Sequence, residues 1–340
     1  MTISIEYILT LKALKGFGPK KIEQVADALD HSRMQSILLE DLYGILEDLR
    51  NEGRLKGLSE FPDFYDLEEA NKKARRIISR SESLGIKMVS RFDAEFPSNL
   101  LQTVNEQGRP DVPLLLFYKG DLSAASRPAI AIIGTREPSA HGVKAGEVFG
   151  EYFGNQGFNI VSGLALGCDS AGHRGAMRSS CGVTTAFLAH GLDTIYPPEN
   201  KALADEIVAK GGLLMTEYPV GEHVNRNYLV SRDRLQAALA DATLVIQTGI
   251  KGGTMHAVNA TLAAGKTVYA VDYKVPIPER KDEGNRWLID GGKALPLQSG
   301  NRDEVVCTVL GASGLSPEPV SEKKDEDTGH EAEFIQGSIF

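Results

Sequence analysis

Ser162-Gly163-Leu164-Ala165-Leu166-Gly167-Cys168-Asp169 stands directly behind the short apolar run Phe158 to Ser162 and leads into Ser170-Ala171-Gly172-His173-Arg174. A short apolar run, a glycine-containing turn and a helical stretch make one strand-turn-helix unit. The same unit repeats on both sides of it. Strands are expected at Ala129 to Ile133, Phe158 to Ser162, Val183 to Ala189, Leu213 to Thr216, Ala242 to Gln247 and Thr267 to Val271. The helices between them are expected over about Ser139 to Gln156, Ser170 to Ser179, Pro198 to Lys210, Ser231 to Ala240 and Gly252 to Ala264. Ile86 to Ser90 and Leu114 to Tyr118 read as two further short strands. Continuous apolar strands alternating with amphipathic helices imply a parallel sheet covered on both faces.

The fold class that follows is α/β, a Rossmann-like, doubly wound, mostly parallel sheet. Upstream the period changes to about 3.6, with apolar residues at Ile5, Ile8, Leu9, Leu11 and Leu14 and then at Ile22, Val25, Ala26 and Leu29. The break between these helices is Lys15-Gly16-Phe17-Gly18-Pro19-Lys20, where the glycines permit a tight turn and Pro19 opens the next helix. A helix over Ile37 to Leu49 completes a small all-α N-terminal domain of helix-hairpin-helix or SAM-like type. Another follows over Leu67 to Leu84, and its basic face of Lys72, Lys73, Arg75, Arg76 and Arg80 reads as a solvated surface. The expected organisation is a helical domain over 1–65, the Rossmann-like domain over 66–310 and an acidic, disordered tail over 311–340.

Composition narrows the class. At 42% hydrophobic and 24% charged residues, the 340-residue chain is an ordinary globular protein rather than a disordered one. No apolar run approaches the roughly 18 residues of a membrane span, and the N-terminus lacks a basic region ahead of an apolar one, so a cytoplasmic protein without a membrane partner is expected. Cys168, Cys181 and Cys307 form no CxxC pair and no metal-ligand cluster, so reduced thiols and no metal are expected. The net charge of −9 argues against a uniformly nucleic-acid-binding surface. The segment from Leu315 to Phe340 nevertheless carries −5 of it, which leaves room for a local basic site on the body.

In an open parallel sheet, ligands bind outside the carboxyl ends of the strands. Three loops there contain glycines and anion-binding groups. Gly134-Thr135-Arg136 follows the first core strand, Ser162-Gly163 and the loop to Asp169 follow the second, and Gly249-Ile250-Lys251-Gly252-Gly253-Thr254 follows the fifth at a helix start. Their convergence makes an anion pocket, although each glycine alone is also explained by an ordinary strand-to-helix turn. A basic stretch with an interleaved aromatic, His223, Arg226, Tyr228, Arg232 and Arg234, suits single-stranded nucleic acid, whose phosphates need cations and whose bases stack on a ring. The alternative is an amphipathic helix start whose arginines pair with Asp233 or Asp241. Asp169 reads equally as the N-cap of the helix from Ser170, and His173 as a packed core residue. No G-x-G-x-x-G follows the first strand and no P-loop, G-x-S-x-G elbow or HExxH is present, so no NAD or other cofactor is expected.

The motif Ser162-Gly163-Leu164-Ala165-x-Gly167-x-Asp169-x-x-x-His173-Arg174-Gly175-Ala176 resembles the DprA/Smf family of DNA-processing proteins. So do Gly134-Thr135-Arg136, Gly191-Leu192-Asp193-x-x-Tyr196-Pro197-Pro198-Glu199-Asn200, Glu217-Tyr218-Pro219 and Gly284-Asn285-x-x-Leu288-Ile289-x-x-Gly292. The resemblance covers roughly residues 80 to 295. It implies a protein without catalytic residues that binds single-stranded DNA, loads a RecA-type recombinase onto it, protects incoming DNA during natural transformation in competent cells, and forms a homodimer. Carried onto this chain, it places the phosphate pocket at Gly134, Thr135, Arg136, Ser162 and Gly163. Arg226, Tyr228, Arg232 and Arg234 then lie along the strand path, and Arg174, Lys251, Gly252, Gly253 and Thr254 are further DNA- or phosphate-binding candidates. The chain departs from the family at Asp233, an acid where an amide is usual, and at Gln247-Thr248 and Gly252-Gly253-Thr254, and so reads as a divergent member.

A rival reading is a nucleotide sensor or nucleotide-processing protein related to the phosphoribohydrolases, which resemble Gly-Gly-x-Gly-Thr-x-x-Glu at this edge. Here Ala257 stands where the carboxylate is needed, and a methyl group does no general acid/base work.

Overall fold

The computed structural model describes residues 3–31 and 37–312. Of the expected acidic tail, residues 313–340 therefore lie outside the described residues.

Four helices open the chain: α1 (Ile5–Ala13), α2 (Pro19–His31), α3 (Leu39–Asn51) and α4 (Phe64–Ser83). Ser4 caps α1 by accepting from Tyr7 N, and Asp63 and Asp66 cap α4 reciprocally, so these starts are fixed by short polar side chains. Ile8, Leu11, Ile22, Leu29, Leu42 and Leu46 are fully buried between the helices. Their core is continuous with Leu115, Phe117 and Leu214 in the sheet. The helix α4, which crosses the boundary expected at residue 65, packs on α1, and its Asn71 donates to Glu6 and Thr10.

The strands are β1 (Lys87–Ser90), β2 (Leu115–Gly120), β3 (Ala129–Ile133), β4 (Asn159–Ser162), β5 (Val183–Phe187), β6 (Leu213–Thr216), β7 (Ala242–Val245), β8 (Thr267–Val271) and β9 (Leu295–Leu297). They form one sheet in the order β1-β2-β6-β5-β4-β3-β7-β8-β9. All neighbours from β6 to β9 are parallel, and β2 runs the other way, antiparallel to both β1 and β6. The mostly parallel, Rossmann-like α/β sheet expected from the strand-turn-helix repeat is present. Strand order reverses at β3, with β4 on one side and β7 on the other, and the crevice for a ligand opens at such a reversal.

The crossover helices are α5 (Ala140–Asn155), α6 (Cys168–Arg178), α7 (Lys201–Ala209), α8 (Arg226–Leu239) and α9 (Thr254–Ala263), followed by α10 (Glu283–Asp290) and α11 (Arg302–Ala312). The helices α5 and α6 touch backbone to backbone: a Cβ on Gly150 would strike the Gly172 carbonyl, and one on Gly175 the Glu147 carbonyl. Two expected boundaries are corrected. The helix α8 starts at Arg226 rather than Ser231, because the Asn225 side chain accepts from Tyr228 N at 2.9 Å and caps it there. Asp169 is not an N-cap; Gly167 holds that position and Asp169 lies inside the first turn of α6. The elements β9, α10 and α11 were not anticipated.

Candidate functional site

The ends of β3 and β7 are locked together before any ligand is considered. Thr135 N donates to Gln247 O at 2.8 Å, and Cys168 N donates to Thr135 O at 3.1 Å. Asn285 clamps the strand after β7, accepting from Thr248 N at 2.9 Å and donating to Ile246 O at 2.9 Å and Val271 O at 3.0 Å. The loops that leave these strands flank a cleft of about 650 Å³. One wall is Gly134, Thr135 and Arg136; the opposite wall is Lys251, Gly252, Gly253 and Thr254 at the start of α9. No side chain among the described residues caps α9; Met255 N and His256 N donate to Gly252 O at 3.2 Å and Gly253 O at 3.0 Å, and the positive end of the helix dipole stands at this wall.

The floor comes from α8. The Arg232 side chain is only 7% exposed; its Nε faces Asp233 Oδ1 at 3.4 Å and makes no hydrogen bond among the described residues. Its guanidinium packs against Gly163, where any Cβ would overlap it. That explains why a glycine follows β4. Two buried acids surround this cation. Asp169 accepts from Gly163 N at 3.2 Å and Ala165 N at 3.3 Å. Burial raises its carboxyl pKa, against the pull of Arg232 and of those amides. Burial likewise pushes Asp233 up to about 7, opposed by Arg232 and reinforced by Asp169. Asp233 Oδ1 accepts from Gln236 Nε2 at 3.0 Å. Between β4 and α6, Leu164 is held at φ 58°, a left-handed conformation costly for a leucine. Asn200 Nδ2 holds it by donating to Leu164 O at 2.8 Å.

His173 is fully buried and its pKa is depressed to about 3, by burial first and by Arg232 and Arg174 second. Thr184 gives its hydroxyl proton to Ile160 O, so His173 Nδ1 donates to Thr184 Oγ1 at 2.6 Å and the ring is a neutral packing element. At the rim, His256 Nδ1 meets Glu106 Oε1 at 2.8 Å.

Of the candidates read from sequence, Gly134, Thr135, Arg136, Arg226, Arg232, Lys251, Gly252, Gly253 and Thr254 line this one cleft. Five stand elsewhere. Ser162 is fully buried with its hydroxyl donated to Ile132 O at 2.6 Å. Gly163 lies behind Arg232, and Arg174 is exposed on α6 away from the cleft lining. Tyr228 stacks on Tyr218 with ring centroids 3.9 Å apart. Arg234 is bound to Glu217 at 2.7 Å and to Asp111 at 2.6 Å, the ion-paired arrangement that the bland reading of this stretch allowed, with different acids. Sequence reasoning missed Gln236, although it lies one helical turn from Arg232 and Asp233 and so shares their face. Glu106 reaches His256 from a loop 150 residues upstream in sequence, and no local pattern announces that.

The fold and cleft together define a Rossmann-like α/β protein whose cleft, at the strand-order reversal, sets Arg232 among buried acids between two glycine-containing loops. Comparison with known proteins places it further. The sequence model of the DNA recombination-mediator protein A family matches residues 87–306, and the chain belongs to that family. It is 33% identical to protein Smf of Escherichia coli K12 over 204 residues, 60% of this chain and 52% of Smf. It is 35% identical to DNA processing protein DprA of Streptococcus pneumoniae R6 over 161 residues, 47% of this chain and 56% of that one. The chain thus spans just over half the length of these two relatives. The solved structure of DprA from Streptococcus pneumoniae superposes with a TM-score of 0.69 at 28% identity, covering 90% of this chain and 98% of that one. DNA processing protein A from Helicobacter pylori, a protein described as having a unique single-stranded DNA binding mode, superposes with a TM-score of 0.56 at 25% identity, covering 67% and 96%.

Proposed function

We propose that this protein binds single-stranded DNA in the cleft at the ends of β3 and β7, without enzymatic turnover, and hands it to a RecA-type recombinase during DNA uptake and recombination, acting as a homodimer. The observation that carries the binding step is Arg232. A guanidinium presents five N–H donors, and removing it from water is costly unless those donors are met; this one is 7% exposed, its Nε is buried beside Asp233 at 3.4 Å without a hydrogen bond among the described residues, and it lines the cleft. A phosphate entering between Arg136, Arg232 and the N-terminal end of α9 supplies an acceptor for that guanidinium and meets the positive end of the helix dipole. Family membership supports the same reading, as does the DNA-binding relative from Helicobacter pylori. For turnover of the phosphoribohydrolase kind the cleft offers Ala257 where a carboxylate is required, which favours binding over hydrolysis.

The test is fluorescence anisotropy of a labelled oligo-dT across a salt series, for the natural protein and for Arg136→Ala combined with Arg232→Ala. Binding that weakens with rising salt and is lost in the double variant is expected. An absence of binding at about 50 mM salt, where phosphate contacts are strongest, overturns the reading and turns attention to free nucleotides.

A further inference from the structure

The cleft floor is not simply cationic. Asp233 lines it with a side chain 13% exposed, and its contacts with Gln236 and Arg232 both fall on Oδ1 rather than Oδ2. Gln236, also in the lining and 2% exposed, gives its amide N–H to Asp233 Oδ1, and its own Oε1 is buried without a partner. Arg232 keeps the charge of Asp233 close to a cation, and the Gln236 amide fixes the carboxylate plane. The result is a cluster of hydrogen-bond acceptors held in place at the bottom of a site whose upper walls suit phosphate. A carboxylate has about four lone-pair sites, so Oδ1 remains able to accept alongside its present partner.

We propose that, within the single-stranded-DNA reading above, Asp233 supported by Gln236 forms a nucleobase subsite that selects guanine. The argument is one of donor pattern. Guanine is the one common base that sets two adjacent N–H donors on one edge, N1–H and the N2 amino group, in the spacing of the two oxygens of a carboxylate. Adenine and cytosine each place a ring acceptor beside their amino group, and thymine flanks its lone N–H with two carbonyls, so all three set a lone pair against the carboxylate. The volume agrees: about 650 Å³ lies within the roughly 300–1,000 Å³ typical of pockets that enclose one ligand. The groups acting on Asp233 are Arg232 on its own helix, Asp169 from α6, His256 from α9 and Glu106 from the loop before β2. Selection needs the ionised carboxylate. It is therefore strongest at alkaline pH and fades as the pH falls through about 7, where Asp233 takes up a proton.

The experiment compares four labelled 20-mers at pH 8 and pH 6: oligo-dT alone, and oligo-dT with every fifth base replaced by guanine, by hypoxanthine, which lacks the 2-amino group, or by adenine. The natural protein is expected to prefer the guanine oligonucleotide by on the order of tenfold at pH 8, with hypoxanthine intermediate and adenine no better than thymine. The preference is expected to fall below about twofold at pH 6, as protonation removes the acceptor. In Asp233→Asn the preference disappears at both pH values, while oligo-dT itself binds more tightly because a negative charge has left a phosphate site. The pH arm needs no substitution and so holds even if the variant folds poorly. Equal, salt-sensitive affinity of the natural protein for all four oligonucleotides at pH 8 overturns the guanine subsite and leaves DNA binding intact, as does a preference that survives in Asp233→Asn. If no oligonucleotide binds, yet dGMP displaces a fluorescent guanine nucleotide better than dTMP does, the DNA reading fails and the guanine subsite stands.

Discussion

Two faces of α8 carry one arginine each, two residues apart, and they are built to opposite ends. On the face toward β6 and the loop before β2, Arg234 is enclosed by acids, with Nη1 on Glu217 Oε2 at 2.7 Å, Nη2 on Glu217 Oε1 at 3.0 Å and Nε on Asp111 at 2.6 Å. On the face toward the cleft, Arg232 is just as buried and has two acids near it, yet its Nε, 3.4 Å from Asp233, makes no hydrogen bond among the described residues. The same side chain is a finished structural joint in one place and an unfinished donor set in the other. What separates a fold-holding charge from a ligand-binding one is thus how many of its hydrogen bonds the protein itself supplies.

The largest effect that tests this contrast is on the finished side. Arg234→Ala leaves Glu217 and the Asp111 contact without their cation, and is expected to cost about 3–5 kcal/mol of stability. Chemical denaturation reads that loss. Arg232→Ala is expected to cost distinctly less in the same measurement while removing most of the DNA affinity. Equal stability losses at the two positions break the comparison.

The acids beside Arg232 give the next effect, on the order of 2–4 kcal/mol, read as a pH dependence. Burial raises Asp233 from 3.8 to about 7 in the folded state and raises Asp169 in the same direction. Between those values the folded protein binds more protons than the unfolded chain, so the stability these acids contribute is fully present below about pH 3.8, is lost as the pH rises toward about 7, and is level above that. Asp233→Asn is expected to flatten that slope and to stabilise the protein at pH 8. A slope that persists unchanged in the variant removes Asp233 from the account.

A smaller change separates the two arginines without deleting either. The three atoms nearest a Cβ at Gly163 all belong to the Arg232 guanidinium, the far end of a flexible side chain, so the fold can yield by turning that side chain away. Gly163→Ala is expected to keep melting behaviour within a few degrees and to weaken oligo-dT binding about tenfold, roughly 1.4 kcal/mol. Gly163→Ala with full affinity means that the resting position of Arg232 is not the binding one.

Much of this was legible in the sequence, and the reasons are physical. Strand runs such as Ala129 to Ile133 are apolar throughout because both sheet faces are covered, so existence and type followed directly. Loops at the strand ends had to converge because a parallel sheet puts all those ends on one edge, which is why Gly134–Arg136 and Lys251–Thr254 share a cleft. Legibility ended where a residue's partner lies far along the chain. Nothing local distinguishes Arg232 from Arg234, since Asp111 is 123 residues away from the latter. The expected start of α8 falls too late because its cap, Asn225, lies six positions ahead of Ser231 in a stretch whose arginines and aromatic dominate the pattern. The short β9 was missed because its three residues, Leu295-Pro296-Leu297, include a proline, tolerated there at the sheet edge.

Tyr228 gives the smallest expected effect and draws the boundary of the cleft. It sits on the first turn of α8, on neither arginine's account, and its ring is already stacked on Tyr218, with the planes 23° apart. A ring whose face is covered by another ring has one face left at most for a base. Tyr228→Ala is therefore expected to lower stability by about 0.5–1.5 kcal/mol, the value of an aromatic pair, and to change oligo-dT affinity by less than about threefold, below the 1–3 kcal/mol typical of a base-stacking aromatic. Tyr228→Phe, which keeps the stack and gives up the 3.4 Å contact of the hydroxyl with Glu222, is expected to change neither. A tenfold affinity loss in Tyr228→Ala at unchanged stability would reverse this assignment: the pair would then be a platform that opens for a base, and the DNA path would run past the Arg226 end of α8 rather than stopping at Arg232.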